Sequence, residues 1–424
     1  MEWHTIREFR VFPVELIHLL KFGFPHEGKI GLFSERFEKG FLMRPLDFAS
    51  LALSRYELKL KARHSAVLPP FLGSTLRGAF GHALKDAVCM MSHRDCSHCL
   101  VADRCIYPYL FETPVPADLL QFRGLRQAPH PFILAPPGVL KSATEKPIVN
   151  KDNPRSPEEQ IVSAGIKHPL PCAPVLRKAS QQETRTSNPT PNERLKFAAG
   201  DELRFRLTLM GRANDYLSYV IHAVSEMARR GLGAERSGFV LHSVAVLGES
   251  GGSETIYTEG NKRALVPLDS VKTLSDLLEA RLRGLEQAGV NPSDVVKLRF
   301  TTPTRIRVEG DLQTSLNFEL LIRNLLRRVS MLMAVHGQSQ LDLGYKELIA
   351  RATRVRINAA SLRWHDWQRY SNRQETKMKL GGFIGEIEYT GESITKLLPL
   401  IVAGEILHVG TSTSFGLGKY EIVQ

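Results

Sequence analysis

The order of strand and helix patterns is the feature that most constrains this sequence, because the same order occurs twice. In the first half, YELKLKA from Tyr56 alternates apolar and charged residues, which indicates a strand with one wet face. Pro69 and Pro70 then turn the chain into a helical pattern, for which Ser74 or Thr75 is the predicted N-cap. DELRFRLTLMG predicts a further strand, NDYLSYVIHAVSEMARRGLG an amphipathic helix, and GFVLHSVAVLG another strand.

The second half repeats this order. VVKLRFTTPTRIRVEG predicts strands, SLNFELLIRNLLRRVSMLMAVHG a long helix, and VRINAASLRWHDW and GGFIGEIEYTG two more strands. ITKLLPLIVAGEILHVG predicts a second helix, and GKYEIVQ a final strand. Two βαββαβ-like halves predict an α+β protein with two tandem ferredoxin-like (RRM-like) domains. We place the N-terminal domain at residues 51–250 and the C-terminal domain at residues 251–424, and leave residues 1–50 unassigned.

One polar stretch interrupts the first half. Between about residues 136 and 194 the sequence is rich in Pro, Ser, Thr, Asn and charged residues and poor in aromatic residues. Such a segment cannot bury enough apolar surface to offset the entropy lost on ordering, so we predict a flexible insertion. The chain has no apolar run of about eighteen residues, and its N-terminal segment lacks the pattern of a secretory signal. We therefore expect a cytoplasmic protein with no membrane partner.

The chain is strongly basic, with 56 Lys and Arg residues against 44 Asp and Glu residues and a formal charge of +12. Each phosphate that a basic residue neutralises releases counterions, so this surplus favours a nucleic acid as partner. A basic enzyme of another kind is the alternative. The surplus is dense between Arg351 and Lys379, where eight Lys or Arg residues stand against two acids and alternate with aromatic residues.

This basic strip (residues 351–379) predicts an RNA-binding surface. Arginine forks bind phosphates and flat rings stack on unpaired bases, which suits single-stranded RNA or a stem–loop junction. The alternative is a solvated strand and loop whose aromatic rings fill the core. The candidate RNA contacts in the strip are Arg363, Trp364, Arg369, Tyr370, Arg373 and Lys377.

Four of the five cysteines lie within seventeen residues. A Cys-x2-Cys pair with two further thiols nearby is typical of a tetrahedral zinc site, and four thiolates leave no open position for a substrate. We therefore predict a structural zinc site, with an iron–sulfur cluster or four reduced thiols without metal as alternatives. His93 and His98 are further candidate ligands. The predicted metal ligands are Cys89, Cys96, Cys99 and Cys105.

Three histidines are candidate proton-transfer groups: His82 in the first predicted helix, His365 among the tryptophans, and His408 before the C-terminal glycines. The glycine-rich loop from Gly410 to Lys419 reads GTSTSFGLGK. Its spacing matches neither the P-loop nor a dinucleotide fingerprint, so we expect no nucleotide cofactor.

Several motifs occur in a specific order from about residue 51 to the end of the chain. They are FLGSTLRGAFGHAL followed by the cysteine cluster and YPYLFE, then HPFILAPP, GDELRFRLTLMG, GLGAERSGF, DWQRYSNRQ with GGFIGEIEY, and HVGTSTSFGLGKY. In this order, with a glycine-rich loop between the last helix and the last strand, the sequence resembles the RAMP superfamily of CRISPR-associated proteins. Within that superfamily it resembles the Cas6 family of endoribonucleases.

The resemblance implies metal-independent cleavage of precursor CRISPR RNA within its repeats. The ribose 2′-hydroxyl attacks the adjacent phosphate and leaves a 2′,3′-cyclic phosphate and a 5′-hydroxyl end. The family often uses a histidine on or near the first helix, which implies His82 as catalyst, Arg77 as charge stabiliser and His408 as the reserve. It also implies a CRISPR effector complex as a further candidate partner. The RNA-backbone contacts that it implies are Gly410, Gly416, Gly418 and Lys419.

Two other functions stay open from the sequence. A non-catalytic RAMP subunit that binds CRISPR RNA within an effector complex would carry the same glycine-rich loop and basic strip. A metal-dependent enzyme that uses the cysteine site is the other alternative, and full thiolate coordination speaks against it.

Overall fold

The computed structural model describes residues 45–91, 95–119, 127–136, 194–248, 252–261, 270–289, 294–337, 341, 343–366, 368–371 and 376–423. Nearly all of the predicted insertion, most of the unassigned N-terminal segment, His93 and Arg373 lie outside the described residues. Within the described ranges, no helix is both long and apolar enough to cross a membrane.

The first half of the chain builds one antiparallel sheet. Strands β3, β5, β1, β6 and β7 lie side by side in that order, with each neighbouring pair antiparallel, and β8 pairs with the beginning of β1. In chain order the elements are β1 (Ala52–Ala62), β2 (Ala66–Leu68), α1 (Gly73–Val88), β3 (Phe132–Ala135), β4 (Leu195–Phe197), β5 (Glu202–Met210), α2 (Leu217–Arg230), β6 (Phe239–Leu247), β7 (Ser253–Thr258), β8 (Lys272–Thr273) and α3 (Leu274–Gln287).

The second half builds another antiparallel sheet, in which β12, β16, β9 and β17 are neighbours in that order and β13 also pairs with β16. Strands β14 and β15 form a separate hairpin. In chain order the elements are β9 (Val295–Thr304), β10 (Arg307–Val308), β11 (Asp311–Leu312), α4 (Phe318–His336), α5 (Tyr345–Ala352), β12 (Arg356–Ala360), β13 (Arg363–His365), β14 (Gln368–Ser371), β15 (Thr376–Lys379), β16 (Gly382–Thr390), α6 (Ile394–Leu407) and β17 (Tyr420–Val423).

The two sheets share one strand order. Each half follows a β-α-β-β-α-β sequence. In each sheet the first strand of that sequence, which is β1 in the first sheet and β9 in the second, lies between the third and fourth strands. Alternation in the sequence explains the buried faces, since β1 and β5 each bury every second side chain over most of their length. The chain is therefore a mixed α and β protein with antiparallel sheets.

Each sheet carries its own apolar core. One core joins the first sheet to α1 and α2, and the other joins the second sheet to α3, α4 and α6. Helix α6 is buried on most of its surface, because α3, α4 and β17 all pack against it. Burial against several elements explains why its sequence is apolar almost throughout.

The sequence did not predict every boundary. Helix α1 begins at Gly73, and its N-cap residue Leu72 makes no side-chain cap bond, so the predicted cap at Ser74 or Thr75 is wrong. Close packing occupies this helix start, since a Cβ on Gly73 would lie 1.9 Å from the Phe415 carbonyl oxygen. Strand β3, helix α3 and the β14–β15 hairpin were not predicted as elements. Helix α3 has a sequence signal, because TLSD forms a capping box in which Thr273 accepts from the Asp276 amide at 3.1 Å.

Candidate functional site

The glycine-rich loop between α6 and β17 packs against the N-terminal half of the chain. Gly410, Gly416 and Gly418 have φ angles of +83°, +82° and +75°, a region that favours glycine. A Cβ on Gly416 would lie 2.4 Å from the carbonyl oxygen of Leu134 in β3. The glycines therefore let the loop turn and let its backbone lie directly on a strand of the first sheet.

Several amides of this loop donate hydrogen bonds within the protein. The Thr411 amide donates to the Arg305 carbonyl at 2.9 Å, and the Gly418 amide donates to the Pro303 carbonyl at 3.1 Å. The Lys419 amide donates to the Thr302 hydroxyl at 2.9 Å, while the Lys419 ammonium pairs with Glu421 at 3.0 Å. These N–H groups are engaged by the fold, so the predicted RNA contacts of the loop glycines and Lys419 stay a prediction.

Arg77 on α1 contacts the loop from the other side. Its Nε donates to the Ser414 hydroxyl at 3.0 Å, and Nη2 donates to Nε2 of His130 at 3.0 Å. The guanidinium carbon lies 4.6 Å from the ring centre of Phe415 and 5.1 Å from that of Phe111. Bonds and rings on several sides fix the direction of this cation at the junction of the two halves.

His130, which the sequence did not indicate, completes the network around Arg77. Because Nε2 accepts from Arg77, Nδ1 carries the proton and donates to the Thr113 hydroxyl at 2.8 Å, and that hydroxyl donates to the Tyr109 carbonyl at 3.2 Å. Burial, with the Arg77 charge next to the ring, lowers the pKa of His130 to about 3. His130 is therefore neutral at pH 7 and acts as an acceptor for Arg77.

A second buried histidine lies at the end of α4. His336 Nε2 donates to the Pro129 carbonyl at 2.7 Å, so Nδ1 accepts from the Tyr109 hydroxyl at 3.3 Å. Burial lowers the pKa of His336 to about 4. Tyr109 comes from a π-helical turn, Pro108–Glu112, that ends at Thr113 in a left-handed conformation with φ +42°. Such turns are frequent at functional sites.

His408 occupies an unusual backbone conformation at the end of α6. Its φ of 60° and ψ of 167° lie in a region that is almost confined to glycine. Nδ1 donates to the Leu417 carbonyl at 3.1 Å, which leaves Nε2 as the nitrogen with the lone pair. Burial lowers the pKa of His408 to about 3, so the ring is neutral at pH 7.

A cleft of about 640 Å³ adjoins His408. It lies between the strands β1 and β5 on one side and α3, α6 and β17 on the other, and a bidentate ion pair between Arg281 and Glu405 lies along it. The basic side chains that line the cleft with His408 are Arg55, Arg204, Arg206, Arg281 and Lys419.

Arg328 is a buried cation close to these histidines. Its Nε donates to the Leu407 carbonyl at 2.8 Å, at the end of α6. Its Nη2 has no hydrogen-bond partner among the described residues, and burial lowers the pKa of the guanidinium to about 9. The Arg328 charge also contributes to the lowered pKa values of His130, His336 and His408.

The structure does not bring the predicted catalytic residues into one cluster. His82 is exposed on α1, and its ring makes no hydrogen bond to a described residue. Five residues separate it from Arg77, which places the two side chains about 140° apart around the helix. Arg77 and His408 both contact the glycine-rich loop, at Ser414 and Leu417 respectively. The catalytic role of each residue stays a prediction.

The basic strip runs from the end of α5 through β15. Arg363 is half-buried, while Trp364 packs partly against the core of the second sheet and donates from Nε1 to Asp366 at 2.8 Å. This packing of Trp364 agrees with the alternative in which the ring fills the core. Arg369, Tyr370 and Lys377 lie on the β14–β15 hairpin, with Tyr370 paired opposite Lys377.

The four clustered cysteines lie away from this junction, beyond the end of α1. All four are free and half-buried. Among the described residues, no group of three or more His, Cys, Asp and Glu side chains has a geometry that would hold a metal ion. The predicted metal site therefore stays a prediction.

Comparisons with known proteins match both halves of the chain. Residues 298–420 match the family model of the CRISPR-associated endoribonuclease Cas6. Residues 51–152 and 173–269 match a model named AF_1859_N and described as an N-terminal domain. An uncharacterized protein of Archaeoglobus fulgidus is 22% identical over 361 residues, which are 84% of this chain and 92% of that relative.

Solved structures with a similar chain trace have low sequence identity. A Cas6 of Thermus thermophilus matches 88% of this chain and 100% of its own, with 14% identity and a TM-score of 0.41. A chain in a partial Cas6-RT-Cas1–Cas2 complex matches 88% of this chain and 46% of its own, with 14% identity and a TM-score of 0.47.

Proposed function

Because this chain is a CRISPR-associated RAMP protein of the Cas6 family, we propose that it cleaves precursor CRISPR RNA within the repeats. The family is one of RNA-cleaving enzymes, and the matched residues 298–420 contain the glycine-rich loop and His408. The family was predicted from the order of motifs, and the match confirms that prediction.

The observation that carries the proposal is the conformation of His408. A non-glycine residue in a region that is almost confined to glycine costs of order 1–3 kcal/mol, and residues held in such conformations cluster at active sites and ligand clamps. The Leu417 carbonyl fixes the tautomer, and the ring lines the cleft. The lone pair on Nε2 is fixed beside the cleft, and a phosphate bound next to the ring would raise its lowered pKa toward neutrality, which a general base needs.

The proposed reaction is attack of a ribose 2′-hydroxyl on the adjacent phosphate, without a metal ion. The bond from the 2′-oxygen to phosphorus forms as the bond to the 5′-oxygen breaks, which leaves a 2′,3′-cyclic phosphate and a 5′-hydroxyl end. His408 Nε2 would take the proton of the 2′-hydroxyl. The leaving 5′-oxygen would take its proton from solvent or from a second acid near the glycine-rich loop.

Arg77 is the proposed positioning cation. The rings of Phe111 and Phe415 and the hydroxyl of Ser414 hold its guanidinium beside the glycine-rich loop. A cation held in this way would stabilise the charge that develops on the phosphate without further reorganisation. Arg77 and His408 act on the same loop, which supports a scissile phosphate near that loop.

The proposed RNA path continues along the basic strip to the β14–β15 hairpin. Both sheets have the strand order of a ferredoxin-like fold, which supports the tandem arrangement inferred from the sequence. We further propose that the cleaved RNA stays bound through this surface for transfer to a CRISPR effector complex.

The test is cleavage of an end-labelled CRISPR repeat RNA from the host, in buffer that contains EDTA. We compare the wild type with His408→Gly and His82→Ala. Glycine suits the backbone conformation at residue 408, so His408→Gly removes the imidazole and relieves the strain at the same time. We expect His408→Gly to bind the RNA with unchanged affinity and to lose at least about a hundredfold in cleavage rate.

The ends of the products test the chemistry. A 5′ fragment that becomes ligatable only after removal of a cyclic phosphate supports attack by the 2′-hydroxyl. Full activity of His408→Gly with loss of activity in His82→Ala would transfer the role of base to His82. Tight binding without cleavage by the wild type would overturn the endoribonuclease proposal.

A further inference from the structure

The four clustered cysteines line one small cavity outside the junction. The cavity measures about 80 Å³ and lies between the end of α1 and the turn at Tyr107 and Pro108. Lys85, from the last turn of α1, lines the same cavity, with Nζ 4.7 Å from the ring centre of Tyr107. The cysteines that line it are Cys89, Cys96, Cys99 and Cys105.

Short turns place these cysteines around the cavity. Cys89 directly follows the last residue of α1, and its amide donates to the Lys85 carbonyl at 2.9 Å. Cys96 begins a 3-10 turn and Cys99 follows it, with the Cys99 amide 3.4 Å from the Cys96 carbonyl. Cys105 follows a second 3-10 turn. The end of α1 and two 3-10 turns thus place the four cysteines around one cavity.

We propose that these four thiols bind one zinc ion as thiolates. Zinc accepts four sulfur ligands in tetrahedral geometry, and two ligands separated by two residues are typical of such sites. Each thiol gives up its proton to solvent on binding. Four thiolates on Zn²⁺ leave a net charge of −2, and the Lys85 ammonium beside the cavity offsets part of this charge. Among the described residues the thiols do not form a metal-binding geometry, so the proposal requires the four sulfur atoms to move closer together when the ion binds.

The surroundings of the cavity indicate why a metal is needed there. The segment that contains the cysteines exposes Met90, Leu100 and Val101, with 97%, 96% and 56% of their surfaces accessible, so it has little apolar core of its own. A cross-link by zinc would order such a segment in place of a core. It would also hold α1 to the π-helical turn that supplies Tyr109 and Thr113 to the junction.

The first test is the metal content of the full chain, purified under reducing conditions without chelator. We expect one zinc ion per chain by elemental mass spectrometry, and loss of nearly all of it in Cys96→Ser and in Cys99→Ser. Cys172→Ser is the matched control, because Cys172 lies outside the cluster, and it should keep its zinc. These readouts do not depend on RNA cleavage, so the proposal can fail while the proposed function stands.

A second test uses the wild type alone, in case the serine variants do not fold. A mercurial reagent titrates the thiols while a zinc-binding dye reports released metal, and we expect zinc to appear in step with four reacting thiols. No bound zinc in the reduced wild type would overturn the proposal. If the protein holds iron and acid-labile sulfide, the thiols bind an iron–sulfur cluster and not zinc. If both serine variants keep their zinc, Cys96 and Cys99 are not its ligands.

Discussion

Arg77 Nε donates a hydrogen bond to the Ser414 hydroxyl at 3.0 Å, across 337 residues of chain. This bond connects the first helix of the N-terminal half to the glycine-rich loop of the C-terminal half. Ser414 is buried, and Arg77 also donates to the buried network through His130. The position of the loop therefore depends on a guanidinium that no local sequence signal links to it.

Arg77→Lys should destabilise the protein. Lysine keeps the charge, but its ammonium does not have the planar guanidinium whose separate N–H groups donate to Ser414 and His130. It also cannot pack flat against the two aromatic rings. We expect the free energy of unfolding to fall by about 2 kcal/mol, measured by urea denaturation. Arg283→Lys, at an exposed helical ion pair, is the control and should change it by less than about 0.5 kcal/mol. Equal effects of the two variants would contradict the role given to Arg77.

Gly73→Ala and Gly78→Ala on the same helix should have opposite effects. A Cβ at residue 73 would lie 1.9 Å from the Phe415 carbonyl oxygen, whereas a Cβ at residue 78 would meet no atom within 4 Å. We expect Gly73→Ala to lower the midpoint of thermal unfolding strongly, because backbone must move. Gly78→Ala should raise stability by up to about 1 kcal/mol through helix propensity. A harmless Gly73→Ala would show that the loop does not pack on the start of α1.

The free energy of unfolding should fall as the pH drops below the pKa of a free histidine, about 6.5. The folded-state pKa values of His130, His336 and His408 are lowered to about 3, about 4 and about 3, so between these values and about 6.5 the unfolded chain binds more protons. Above about pH 6.5 the three rings are neutral in both the folded and the unfolded chain, and stability is greatest. At pH 5 each ring has lowered the free energy of unfolding by about 2 kcal/mol.

The measurement is urea denaturation at pH 7 and pH 5 of the wild type and of His336→Gln. Glutamine can donate to the Pro129 carbonyl and accept from Tyr109, but it does not titrate. The variant should lose less stability between the two pH values than the wild type does. An identical loss in both proteins would contradict the contribution of His336.

RNA binding should depend on salt through the basic strip. Each phosphate contact removed lowers the slope of log affinity against log salt concentration by about 1. Arg369→Ala combined with Lys377→Ala should therefore reduce the slope by about 2. Lys346→Ala, at an exposed position on α5, is the matched control. Fluorescence anisotropy with repeat RNA measures both, and an unchanged slope in the double variant would remove the hairpin from the RNA path.

The periodicity of the sequence predicted the elements that pack on one face. Strands β1, β5, β6, β9 and β16 and helices α2 and α4 follow from alternation or helical spacing, because one-sided burial leaves its period in the sequence. Helix α6 is buried on most of its surface, so its long apolar run predicted it instead. Strand β3 is four residues long and mostly buried, and β14 and β15 form a short hairpin, so neither presents a period long enough to detect.

Only some residues of the candidate site could be predicted from the sequence. Arg77, His408 and the glycine-rich loop stood out because of their residue types and their place in the motif order. His130 and His336 did not, because a lone histidine in HPFILAPP or at the end of a helix carries no local signal of its partners. Their partners, Arg77 and Thr113 in one case and Tyr109 and Pro129 in the other, come from distant segments of the chain.

The sequence by itself determined the alternating strands, the amphipathic helices, their doubled order and the order of motifs by which the chain resembles the Cas6 family. These properties are local or ordered along the chain, and each leaves a pattern that can be read without coordinates. The tertiary structure decided that His82 faces solvent, that Arg77 bonds to Ser414, and that the glycines lie against protein backbone. Those outcomes depend on how the two sheets and the loop pack together, and burial and contact across hundreds of residues have no period in the sequence.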